Sequence, residues 1–271
     1  MIEALLLGAI QGLSEFLPIS SSGHLALTMH VLGWRDPPLV MALVVHLGTL
    51  AAVVALYGRE LVAAVVGGAR LLVVAFKGPA AARELLSRDE GAALALWIAI
   101  ATIPTGIIGL LLKDIVVHAA ASPHIVGGLL ALCGVMLLAS RWIPNGQEGL
   151  TWWRATLVGF AQGLAVLPGL SRSGTTIVVG MALGLRREEA ARFSFIASVP
   201  AIIGASILEL DVRALTAAGD EGILYAVAGA TALIVGYVSL RLLVGLVRRS
   251  GLWWFALYML PLGIATVLFI R

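Results

Sequence analysis

The chain has 271 residues, 60% of them hydrophobic and only 12% charged, with a mean hydropathy of +1.02. A soluble domain could not hide that much apolar surface, so the composition points to a polytopic, all-α membrane protein. The net charge of +3 is scattered over loops rather than gathered in a patch, which excludes a nucleic-acid footprint, and the single cysteine, Cys133, excludes an internal disulfide and reads as a packing residue.

The N-terminus has no basic region, and its apolar run flows straight into residues 8–24, GAIQGLSEFLPISSSGH; no cleavable signal peptide is expected. This stretch is a short apolar segment running into Leu-Pro, then a Ser/Gly cluster, then a second short apolar segment. Segments of roughly 10–14 apolar residues are too short to span a bilayer and suggest a re-entrant hairpin. Proline stops the first helix. The serines suit an N-cap on the second, whose exposed N–H groups and dipole would then favour an anion.

A surface turn is expected at Trp34-Arg35-Asp36-Pro37-Pro38, then a span from about Leu39 to Tyr57. Residues 58–91 mix apolar and basic side chains and read as an interfacial helix plus loop. Further spans are expected at about Ala92–Leu112 and Ile125–Arg141.

Residues 159–176, GFAQGLAVLPGLSRSGTT, repeat the first motif. Gly8, Gln11, Gly12 and Leu13 match Gly159, Gln162, Gly163 and Leu164. Pro18 meets Pro168 after a one-residue slip, and Ser20, Ser22 and Gly23 return to register with Ser171, Ser173 and Gly174. Glu15 and His24 occur only in the first copy; Arg172 occurs only in the second. A second hairpin is expected over about Trp153–Leu185, followed by spans at about Glu189–Leu208, Ile223–Leu246 and Leu252–Ile270.

A re-entrant hairpin returns to its own side, and an odd number of spans then crosses the membrane. The reading is therefore a single integral membrane domain of two inverted-topology repeats, about 1–145 and 150–271, each a hairpin plus three transmembrane helices, with the hairpins meeting near the midplane. Setting Arg172 aside, the basic residues on the N-terminal side are only Arg35, Lys113, Arg213 and Arg271. The positive-inside rule then makes both termini and the opening of the first hairpin extracytoplasmic. Trp152, Trp153, Trp253 and Trp254 sit near span ends as an aromatic belt. Arg186, Arg187, Glu188 and Glu189 read as a charged helix start, and Glu209, Asp211, Asp220 and Glu221 as solvated.

Glu15 and Arg172 are ionisable groups at membrane depth, expensive unless paired or facing water. A purely structural bridge is one reading. It leaves unexplained the hydrogen-bonding capacity of Ser20, Ser21, Ser22, His24, Ser171, Ser173, Thr175 and Thr176 around the same place. As a site, the roles sort by chemistry. Arg172 offers a planar fork for phosphate oxygens, and the Ser/Gly turns offer backbone donors. Glu15 can act as base, or as metal ligand with Gln11, which lies one helical turn away. His24 can move a proton, and Ser21 is the nucleophile candidate, with activated water as its rival. The catalytic set is Glu15, Ser21, His24 and Arg172. The substrate-binding set is Gln11, Ser20, Ser22, Ser171, Ser173, Gly174 and Thr176, and the metal candidate is Glu15. His46 and Gln162 read as structural hydrogen-bonding residues. No P-loop, HExxH or paired CxxC is present.

QGLSEFLPISSSGHL together with PGLSRSGTT, and with HLGTLAAV and FSFIASVPA beside them, resembles the undecaprenyl-diphosphate phosphatases, the bacitracin-resistance family. The resemblance implies hydrolysis of undecaprenyl diphosphate to undecaprenyl phosphate and inorganic phosphate in the bacterial plasma membrane. That reaction recycles the lipid carrier of peptidoglycan synthesis and confers bacitracin resistance. It places the family's Glu-or-Gln position and the Glu four residues later on Gln11 and Glu15, this chain having the Gln version, its serine pair and histidine on Ser20, Ser21 and His24, and its Ser-Arg-Ser on Ser171, Arg172 and Ser173. It also implies assistance by magnesium or calcium. With Glu15 the only carboxylate in either motif, the ion would be bridged largely by the diphosphate. The expected partners are substrate and membrane lipid, with a homodimer left open. The rival class is transport, since inverted repeats with broken helices also build transporters and flippases.

Overall fold

The structure, a computed structural model, describes residues 1–32, 39–209 and 222–270. The expected turn at 34–38 and the charges of Glu209, Asp211, Arg213, Asp220, Glu221 and Arg271 lie outside the residues whose side chains are described. Among the described residues every named element is a helix, and the one β feature is an isolated bridge between Glu148 and Leu185.

The first motif forms α1 (Ile2–Phe16) and α2 (Ser21–Leu32), joined through Leu17, Pro18, Ile19 and Ser20. The second forms α8 (Trp152–Leu164) and α9 (Arg172–Ala182). At about 1.5 Å rise per residue, none of these four covers the roughly 30 Å of a bilayer core. Between and after them lie α3 (Leu39–Ala75), α4 (Pro79–Arg88), α5 (Glu90–Leu111), α6 (Lys113–Ala120) and α7 (Pro123–Ala139). Beyond the second motif come α10 (Arg187–Glu209), α11 (Gly222–Arg248) and α12 (Ala256–Phe269). Six of the described helices, α3, α5, α7, α10, α11 and α12, are long and apolar enough to cross a membrane.

The expected end of the first span at Tyr57 is corrected. The helix bends there, where Tyr57 leaves helical geometry (φ −113°, ψ 20°), and then continues to Ala75. The reason is packing against the start of α5. Small residues let the two backbones close up, so that a Cβ on Gly67 would run into Ala92 and one on Gly91 into the Ala63 carbonyl. Arg70 adds an ion pair to Asp89 at 3.1 Å. Of the stretch read as interfacial, α4 is the surface element, since it buries no residue. The short helix α6 was not anticipated; its Val116 lines the central cavity.

Each short helix of a motif leans on a long helix from elsewhere in the chain. α1 packs chiefly against α11, and α8 against α5. Gly12 meets α11 where a Cβ would stand 2.8 Å from the Gly236 nitrogen, and Gly159 meets α5 where a Cβ would strike the Ala101 carbonyl. Small residues at such crossings allow backbone-to-backbone contact, the main source of helix association in lipid. The end of α1 is pinned by Phe16, 1% exposed, whose ring lies edge-on to Phe195 of α10 at 5.9 Å. That contact fixes the neighbouring Glu15.

Candidate active site

Both Ser/Gly turns cap the helices that follow them. Ser171 Oγ accepts the Gly174 N–H at 3.2 Å, and Ser20 Oγ accepts the Gly23 N–H at 3.2 Å. Ser20 also accepts the Gly169 N–H of the other motif at 3.1 Å. The two turns therefore interlock: a Cβ on Gly23 would stand 3.1 Å from Gly169, and one on Gly174 would stand 3.0 Å from Pro18. Gly169 takes a positive φ of 109°, which only glycine adopts without strain. The first-turn N–H groups of α2 and α9, which have no intrahelical acceptors, are thereby brought to one place.

Glu15 lies at the centre of that place. Its Oε1 accepts from Arg172 Nη2, and its Oε2 accepts from Gln11 Nε2 at 2.9 Å and from Ser21 Oγ at 2.9 Å. The Glu15 side chain is 6% exposed and that of Arg172 is 20% exposed. A buried carboxylate and guanidinium tolerate burial only as a well-bonded pair, and here every carboxylate oxygen is engaged. The Ser21–Glu15 contact gives a hydroxyl whose proton already points at a carboxylate.

The pair opens into a cavity of about 380 Å³. Of the expected residues, Glu15, Ser20, Ser21, Ser22, Ser171 and Arg172 line it. Gln11 stands behind Glu15 as a buttress. Ser173 bonds Ser171 Oγ at 3.2 Å, Gly174 packs on Pro18, and Thr176 bonds the Arg172 carbonyl at 2.8 Å and contacts Ser194. These three support the turn from behind rather than facing the cavity. His24 turns aside as well. Its Nδ1 lies 2.9 Å from the Ser20 carbonyl and its Nε2 2.7 Å from the Tyr258 hydroxyl. A carbonyl only accepts, so Nδ1 carries a proton, and Nε2 shares a hydrogen bond with the Tyr258 hydroxyl.

Five polar lining residues were not expected to face a site: Ser14, His46, Thr105, Gln162 and Ser206. Gln162 donates to Thr105 Oγ1 at 3.2 Å and to the Ala197 carbonyl at 3.3 Å, while its buried Oε1 has no partner. His46 and Gln162 carried a signal in the sequence, as polar groups inside apolar helices; Thr105, next to Pro104, carried little. The remaining wall is apolar, with Leu43, Val116, Val166, Leu170 and Ile202 among its residues. A charged polar end and an apolar flank suit an amphiphile with an anionic head.

Among the described residues no group of three His, Cys, Asp or Glu side chains could hold a metal ion by itself. The one carboxylate lining the cavity, Glu15, fits a hard cation only as part of a shell completed by another ligand.

The family model described as bacitracin resistance protein BacA matches residues 4–265. The chain belongs to the BacA family. The match runs from α1 to α12, so it takes in both Ser/Gly motifs and all six long helices, a multi-pass membrane architecture. Relatives named undecaprenyl-diphosphatase are similar over nearly their full length. The protein of Desulfatibacillum aliphaticivorans is 43% identical over 98% of this chain and 97% of its own. That of Desulfosudis oleivorans is 41% identical over 98% and 97%, and that of Methanosphaera stadtmanae 37% identical over 99% and 97%.

Proposed function

We propose that the protein is a membrane phosphatase that hydrolyses undecaprenyl diphosphate to undecaprenyl phosphate and inorganic phosphate, returning the lipid carrier to cell-wall synthesis and conferring bacitracin resistance. BacA-family membership and the names of the relatives supply the substrate. The observation that carries the chemistry is Glu15 held between Ser21 and Arg172.

The terminal phosphoryl group enters the cavity and takes the Arg172 fork and the first-turn N–H groups of α2 and α9, which neutralise charge developing in transfer. With Arg172 drawn to phosphate, Glu15 is free to accept a proton. Ser21 Oγ attacks the terminal phosphorus while the bond to the bridging oxygen breaks, and undecaprenyl phosphate departs. The serine proton passes to Glu15 and on to the departing phosphate. Water then attacks the phosphoserine; its hydroxyl stays on phosphorus, and its proton returns through Glu15 to Ser21. Gln11 holds Glu15 in place, Ser20 and Ser171 hold the turns, and His24 positions the serine turn through the Ser20 carbonyl. Magnesium or calcium, held by Glu15 and the diphosphate oxygens, would supply further charge neutralisation.

The inverted-repeat reading is supported by the exchange of partners. α1 on α11 and α8 on α5 are the same contact with the two halves interchanged, as a two-fold axis in the membrane plane requires. With the loop charges, this favours plasma-membrane insertion with extracytoplasmic termini and the cavity open to that side. The same pseudo-symmetry favours a second activity, flipping the lipid phosphate product.

The test is phosphate release from a long-chain prenyl diphosphate by purified protein. Arg172→Lys is expected to lose about 10²–10³-fold in rate and Glu15→Gln about 10²–10⁴-fold. Ser21→Ala should abolish trapping of a phosphoserine. No release by folded wild type, with either cation present, would leave transport as the better account; release without any phosphoserine would move the attack from Ser21 to water.

A further inference from the structure

Separate from the Glu15 cavity, and sharing no lining residue with it, Arg186, Arg187, Arg192 and Arg248 surround a second cavity of about 370 Å³. It lies where one span-length helix, α10, begins and another, α11, ends. Two carboxylates face it, and both are engaged: Glu189 with Arg192 at 3.2 Å and Glu188 with Arg248 at 3.3 Å. Arg186 and Arg187 have no carboxylate partner among the described residues.

Arg187 is nevertheless held. Its backbone N–H donates to Asn145 Oδ1 at 3.1 Å and its Nη2 to the Ile143 carbonyl at 2.8 Å. The Nε atoms of Arg187 and Arg192 are buried without any acceptor. A buried guanidinium N–H left unpaired is costly, and a charged acceptor recovers the loss best. The cavity thus combines two cations without a carboxylate partner, two arginines that each carry an unpaired buried N–H, and space for a tetrahedral anion with its water.

We propose that this cavity binds a phosphate group, carried by an anionic phospholipid headgroup or by free inorganic phosphate. Its position at two span ends places it at headgroup depth. Arginine forks match phosphate oxygens two at a time, and the start of α10 adds its dipole.

Binding is measured on purified full-length protein by thermal shift and by native mass spectrometry. The probes are phosphatidylglycerol, phosphatidylcholine as the zwitterionic reference, and inorganic phosphate against chloride at equal ionic strength. The expected result is affinity for a phosphate anion that falls about tenfold or more in Arg186→Gln and in Arg186→Gln/Arg187→Gln. The same affinity should persist in Arg83→Gln, a remote surface control, and in Arg172→Ala, which removes phosphate binding in the other cavity. Preference for phosphatidylglycerol over phosphatidylcholine assigns the site to a lipid headgroup; a response to inorganic phosphate alone assigns it to the free ion. The Arg186 side chain makes no hydrogen bond or ion pair among the described residues, so its single variant decides the matter even if the double variant fails to fold. Equal binding by wild type and Arg186→Gln for both probes overturns the proposal.

Discussion

Ser20 Oγ accepts the Gly169 N–H at 3.1 Å and the Gly23 N–H at 3.2 Å, so one hydroxyl joins two turns 149 residues apart in sequence. Ser20 does this from a left-handed backbone conformation, φ 68°. Alanine leaves two buried donors unpaired, and Ser20→Ala is expected to lose about 1–3 kcal/mol of stability. Ser20→Gly relieves the strained φ but not the missing acceptor, and should fall between wild type and alanine. Thermal unfolding in detergent reads both; an unchanged midpoint in Ser20→Ala would remove the interlock from the account.

Gly8 and Gly159 occupy matching positions in the two motifs, and a Cβ on either would strike a carbonyl of a long helix of the other half, Ala228 of α11 and Ala101 of α5. Alanine at either should push the helices apart, lowering stability by about 1–3 kcal/mol, with similar size at the two sites. Gly128, where a Cβ meets nothing within 4 Å, is the matched control. A large effect at only one of Gly8 and Gly159 would argue against equivalent halves.

His24 faces Ser20 and Tyr258, not Ser21. If it positions the turn, His24→Asn, whose amide can replace the Nδ1–H donor, keeps activity within about tenfold, whereas loss of a general acid or base removes about 10²–10⁴-fold. Tyr258→Phe should leave the pH–rate profile in place. A shifted profile, or a collapse of rate in His24→Asn, would return His24 to proton transfer.

Asp89 caps α5 from outside the span. The Ala92 N–H bonds its Oδ1 at 3.1 Å, and Arg70 stands at 3.1 Å from Oδ2. The Ala92 hydrogen bond, with Arg70 behind it, holds the carboxyl below its ordinary value of 3.8. The cap's contribution is therefore complete above that value and is lost as the pH falls through the lower folded pKa. Wild type should be more stable than Asp89→Asn at pH 6, and the gap should close in acid. A gap that stays constant with pH would assign the effect to shape rather than charge.

Much of this was legible because the relevant signals are local. Leu-Pro followed by a Ser/Gly cluster specifies a helix stop and a cap, and both caps form, on Ser20 and Ser171. Intramembrane Glu15 and Arg172 had to be paired or solvated, and they meet. The bend at Tyr57 was misread as an end because residues 58–91 mix apolar and basic side chains. The helix beyond the bend is stabilised by α5, which no local pattern announces. His24 was given a chemical role from its spacing to Ser21, yet spacing says nothing about Tyr258, 234 residues away.

Sequence alone determined the membrane class, the duplicated motif and the inventory of reactive groups, since hydropathy, proline and capping chemistry act over a few residues. Tertiary structure decided which of those groups share a cavity. It turned Gln11, Ser173, Gly174 and Thr176 to the supporting side and brought Thr105, His46 and Gln162 into the wall. It also set Ser21 and Arg172 on opposite oxygens of one carboxylate. The physical reason is that a side chain's direction follows from how its helix is rotated and seated. That seating is fixed by backbone contacts such as Gly12 on Gly236 and Gly159 on Ala101, between residues far apart in the chain.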